Sequence, residues 1–63
     1  HAGDTFEHIT VIRGELVIRS ATSEAHLHAG DAIFFRADQP HSYENPSPER
    51  TVAQLVMSYA RTP

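Results

Sequence analysis

His1, Glu7 and His41 are the residues of this 63-residue chain whose types could do chemistry together. The first two stand in His1-x5-Glu7-x6-Gly14, the third in Gly30-x10-His41-x3-Asn45. One carboxylate and two imidazoles that project from neighbouring strands of a closed sheet can converge on a point inside it. Three such ligands with open positions suit a divalent iron, manganese, nickel or zinc ion. The plainer reading needs no metal: Glu7 hydrogen-bonded to a neighbour, and His41 neutral against the wall. Glu7 shares a strand face with Ile9 and Val11. If that face is the inner one, the carboxylate requires a partner, because burying it ionised and unpaired is very costly. His41 shares its face with Tyr43 and Asn45, a polar row that suits a binding cavity better than a dry core.

The pattern around these residues predicts strands. Alternating or β-branched apolar stretches recur every eight to twelve positions between Gly, Pro or Ser/Asp clusters, the spacing of a sandwich or barrel, and no stretch sustains a helical period. Strands are expected over about residues 6–12, 15–19, 25–28, 32–36, 41–44 and 51–59. Arg13-Gly14 should turn the first strand into a partner, and residues 20–24 supply a polar hairpin loop. Ala29-Gly30-Asp31 makes the next turn, and Asp38-Gln39-Pro40 ends the fourth strand. Residues 32–35 are apolar on both faces, so the outer face of that strand is expected to be covered, for instance by a second subunit. Pairing is expected between the neighbourhoods of the Glu7 and His41 strands.

Alternation also sorts the remaining chemistry-bearing residues. His8 must face away from Glu7; His26 and His28 flank Leu27, the inward candidate, and are expected to be solvated. Asp31 and Asp38 sit beside turns, where a short carboxylate satisfies local backbone N–H groups. No serine lies in a nucleophile elbow, and the three glycines stand apart, so no hydrolase, phosphate-loop or dinucleotide signature is present. No catalytic residue is assigned.

Size and charge narrow the function classes further. Sixty-three residues make one domain at most, with an apolar core that rarely supplies more than about 3–5 kcal/mol. The chain has no cysteine, so neither disulfides nor a thiolate zinc site can support it. Residues 1–6 already read as the interior of a motif, which suggests a piece of something longer with flanking strands elsewhere, unstable or associated on its own. A formal charge of −3, no lysine and five scattered arginines give no stripe for a phosphate backbone. Contacts to nucleic acid would have to come from another part of a parent protein.

The two patterns together resemble the signatures of the cupin superfamily, whose first motif is G-x5-H-x-H-x3,4-E-x6-G and whose second is G-x5-P-x-G-x2-H-x3-N. His1, Glu7 and Gly14 match the first motif, and Gly30, His41 and Asn45 the second. Gly3 stands where the second histidine of motif one would be, and Arg36 and Asp38 replace the proline and inner glycine of motif two. The wording is similar to the cupin domains appended to Xre-type helix-turn-helix transcription regulators. That resemblance implies an all-β double-stranded β-helix, a jelly-roll-like barrel over residues 1–63, with a cavity lined by His1, Glu7, His41, Tyr43 and Asn45. It also implies a cytoplasmic, homodimeric module that senses a small-molecule effector, with DNA bound only through a helix-turn-helix domain outside this segment. Two alternatives stand beside it. One is a small metal-dependent cupin enzyme, an isomerase, decarboxylase or dioxygenase holding its metal on His1, Glu7 and His41; the other is a cupin retained only for dimerisation.

Overall fold

The structure, a computed structural model, describes residues 5–37 and 39–59, so His1, Gly3 and Asp38 lie outside the described residues. Six strands follow in order: β1 (Thr5–Arg13), β2 (Glu15–Arg19), β3 (Glu24–His28), β4 (Ala32–Arg36), β5 (Ser42–Glu44) and β6 (Val52–Tyr59). There is no helix among the described residues. The strands form two antiparallel three-stranded sheets, one in the order β4-β1-β6 and the other β3-β2-β5. The all-β expectation therefore holds, with strand bounds within two residues of those read from the sequence.

Two pairings differ from the expectation. The first and second strands do not form a hairpin, because Gly14 alone separates them and the tight hairpin connections take at least two residues. The chain turns a corner there instead. A bulge between Val11 and Arg13 bends the end of β1, and Gly14, at φ 84°, sends the chain into the opposite sheet. As a result the expected pairing of the Glu7 and His41 strands is not made: β5, which begins just after His41 and carries Tyr43, belongs to the other sheet from β1. The expected hairpin between β2 and β3 does form, closed by the Ser20 N–H on the Ser23 carbonyl (2.9 Å) and by the paired Ser20 and Ser23 hydroxyls (2.8 Å).

Alternation along these strands builds the core. Ile9 and Val11 of β1 are fully buried and pack with Ile18 and Leu27 of the other sheet, flanked by Leu16, Ile33, Phe35 and Ala53. The outer faces differ from each other in chemistry. On β3-β2-β5 the surface is ionic, with Arg19 bound to Glu24 (2.8 Å) and to Glu44, and His26 bound to Glu24 (2.8 Å). On β4-β1-β6 it carries an exposed aromatic patch among polar residues: Phe34 is 63% exposed and stacks on Phe6 at 5.4 Å, with Val56 and His8 in the same row as Phe34.

Candidate ligand-binding site

Register places Glu7 between Phe35 and Met57 across the inner face of the β4-β1-β6 sheet. It is the one buried charged residue among the described residues, at 5% exposure. Opposite it, Tyr43 stands beside Ile18 on the inner face of the second sheet and donates its hydroxyl to Glu7 Oε1. This bond bridges the two sheets and supplies the partner that a buried carboxylate requires. Loss of hydration lifts the Tyr43 phenol to about 12, helped by the bond to Glu7 and by its negative charge.

The sign of the pH dependence follows. An unfolded phenol titrates near 10, so the contribution of neutral Tyr43 is constant below that pH and is lost between about 10 and 12. The sequence has two tyrosines. An absorbance titration of phenolate is expected to show a component near pH 12 that disappears in Tyr43→Phe. A component near 12 that persists in the variant would show that Tyr43 does not carry the shift.

His41 lies just before β5 and packs its ring on Phe35, centroids 4.6 Å apart. Its Nδ1 is 2.7 Å from the Gln39 carbonyl oxygen, so Nδ1 is the donor and Nε2 the ring nitrogen left over. Since Phe35 also pairs with Glu7, this one aromatic side chain joins the neighbourhoods of Glu7 and His41. Asn45 braces the loop that follows it. Its amide accepts from the Ser47 N–H (3.0 Å) and donates to the Glu49 carbonyl, folding the loop that leads to β6.

Beside Tyr43 lies a solvent-open cavity of about 330 Å³, lined by Leu16, Ala53 and Leu55 on its apolar side and by Tyr43, Asn45 and Thr51, with Glu44 at its edge. The hydroxyls here already donate: Tyr43 to Glu7, and Thr51 to the Glu15 carbonyl at 2.6 Å. What they still offer a ligand is oxygen lone pairs. Of this lining, only Tyr43 and Asn45 are singled out by the sequence; Leu16, Glu44, Thr51, Ala53 and Leu55 are not, nor is Phe35 beside Glu7. The alternation that places Glu7, Ile9 and Val11 together would also have grouped Ile33 with Phe35 and Ala53 with Leu55. The other histidines sit on outer faces: His8, His26 and His28 are all exposed. Asp31 caps its turn by accepting the His28 N–H at 2.8 Å.

As for a metal, Glu7 and His41 do not by themselves make a centre. No three of His, Cys, Asp and Glu approach closely enough to hold an ion among the described residues, and Glu7 Oε1 accepts the Tyr43 hydroxyl. His1, the third candidate ligand, lies outside the described residues. No helix among the described residues is long and apolar enough to cross a membrane.

No curated protein and no solved structure matches the chain. The family model described as "Cupin domain" matches residues 1–58, a span that includes both sheets but for the last residue of β6. With two antiparallel sheets, a glycine corner at the end of the first motif and the glutamate of that motif turned inward, the chain belongs to the cupin family.

Proposed function

We propose that this cupin domain binds a small effector and serves as the sensory part of a bacterial helix-turn-helix transcription regulator. The observation that carries the reading is the inner carboxylate of Glu7 taken by the Tyr43 hydroxyl beside an apolar cavity. That arrangement is a wall with polar acceptors set in it, suited to an apolar molecule that carries one hydrogen-bond donor. The regulatory part of the reading rests on the resemblance of the motifs to those of Xre-type regulators. A second copy of the chain on the exposed Phe34 and Val56 face would give the homodimer that two DNA half-sites require. The parent's helix-turn-helix domain would make the DNA contacts.

Benzyl alcohol is a suitable probe of the cavity, and Leu55→Trp a suitable way to fill it. In nuclear magnetic resonance titrations benzyl alcohol is expected to move Leu16, Tyr43 and Leu55 signals in the native protein and to leave the Leu16 and Tyr43 signals unmoved in Leu55→Trp. A ligand acts on DNA binding only through its different affinity for two states of the regulator, commonly by about 5–150-fold. Leu55→Trp in the full-length protein should mimic occupancy and shift affinity for a DNA fragment selected from a random pool on that scale. Unaltered DNA affinity, together with loss of a chemical turnover in the same variant, would sink the sensor reading in favour of an enzyme.

A further inference from the structure

At the end of the molecule where Gly14 turns the chain, a second cavity of about 400 Å³ is lined by Arg13, Glu49, Arg50 and Val52. It shares no residue with the cavity beside Tyr43. Three separate features bring its two arginines together. The bulge in β1 sets Arg13 opposite Val52. Gly14 has no Cβ; one placed there would lie 2.8 Å from the Arg50 carbonyl oxygen, so the Arg50 backbone packs directly on the corner. The loop carrying Glu49 and Arg50 is held at both ends, by the Asn45 amide and Ser47 hydroxyl on the Glu49 carbonyl and by Thr51 on the Glu15 carbonyl.

Carboxylates outnumber arginines in this chain by eight to five, yet Arg13 and Arg50 have no ion pair or side-chain hydrogen bond among the described residues. Arg19, by contrast, holds two glutamates. Glu49 lines the same cavity without pairing with either arginine within 4 Å. The lining therefore carries two positive charges and one negative, a net +1. Guanidinium forks prefer planar oxyanions that they can hold through two N–H bonds. Val52, 39% exposed, gives the cavity an apolar wall.

We infer that Arg13 and Arg50 form a second binding site, for a small organic acid whose single carboxylate lies between the guanidinium groups and whose apolar part rests on Val52. A monoanion balances the lining charge, whereas a phosphate dianion would be left facing Glu49. This site stands independently of the sensor reading, because it uses none of the residues around Glu7 and Tyr43.

Benzoate, inorganic phosphate and benzyl alcohol separate the outcomes. Benzoate is expected to shift the Arg13 and Arg50 Nε–H signals and the Val52 methyl signals saturably, and benzyl alcohol to leave them unmoved. Losing one charge-assisted hydrogen bond corresponds to roughly tenfold or more in affinity. Arg13→Gln and Arg50→Gln should each weaken benzoate binding by at least about that factor, with melting temperature retained, and Arg19→Gln should leave it unchanged. Equal benzoate affinity in Arg13→Gln, or no saturable shift at all, overturns the site. Tighter binding of phosphate than of benzoate overturns the assignment to a monocarboxylate.

Discussion

Ile9→Ala is expected to leave the protein largely unfolded at room temperature. Ile9 is fully buried at the middle of β1, between Ile33 and Leu55 in register and within the cluster formed with Val11, Ile18 and Leu27. Truncating a buried isoleucine to alanine costs about 2–5 kcal/mol in lost transfer energy and residual cavity. A core in a domain of this length rarely supplies more than about 3–5 kcal/mol, so one substitution consumes most of it. Ile9→Val removes one methylene and is expected to cost about 0.5–1.5 kcal/mol, leaving a folded protein with an earlier transition. Urea denaturation followed by circular dichroism reads both. A loss below about 1 kcal/mol for Ile9→Ala would mean that the two sheets do not close on this residue.

Substitution of the two turn glycines should separate backbone strain from steric exclusion. Gly14 and Gly30 have similar positive φ values, 84° and 94°, so alanine at either meets the same disfavoured conformation, worth about 1–3 kcal/mol. Their surroundings differ. A Cβ on Gly30 has nothing within 4 Å, whereas one on Gly14 meets the Arg50 carbonyl oxygen at 2.8 Å and the Thr51 backbone at 3.1 Å. Backbone atoms cannot rotate away as a side chain can, so the loop must shift and strain its bond to Glu15. Gly14→Ala should therefore cost more than Gly30→Ala by about 1–3 kcal/mol in urea denaturation. Equal costs would show that the Arg50 loop does not pack on the corner. Because that loop carries Arg50, Gly14→Ala should also weaken benzoate binding, while Gly30→Ala spares it.

The local pattern of this chain was legible because strand periodicity leaves few choices. Glu7, Ile9 and Val11 share a face by alternation, and burial of the two apolar residues carries the glutamate inward with them. The same parity turned His8 outward and put Leu27 inside between two exposed histidines. Asp31 beside its turn was legible for a local reason too: a carboxylate three residues from a backbone N–H needs no distant partner to hydrogen-bond it. Asn45 was legible only in part: it lines the cavity beside Tyr43 as its place in the row implies, while its side-chain amide also braces the loop beyond it, a contact no strand pattern announces.

What the sequence determined by itself was the class of structure and the facing of each strand, since a two-residue period and turn residues at short intervals act within a few residues of one another. It also carried the cupin motifs, through the spacing of Glu7, Gly14, Gly30, His41 and Asn45. Which strands pair was decided only in three dimensions. In sequence Arg13-Gly14 is compatible with a two-residue turn or a corner, and the choice depends on whether the chain closes a ladder with its neighbour or with β4 and β6, far along the chain. The bond from Tyr43 to Glu7 spans 36 residues and the contact of Arg50 with Gly14 a similar distance. No local pattern specifies such meetings, because they follow from the packing of one sheet on the other.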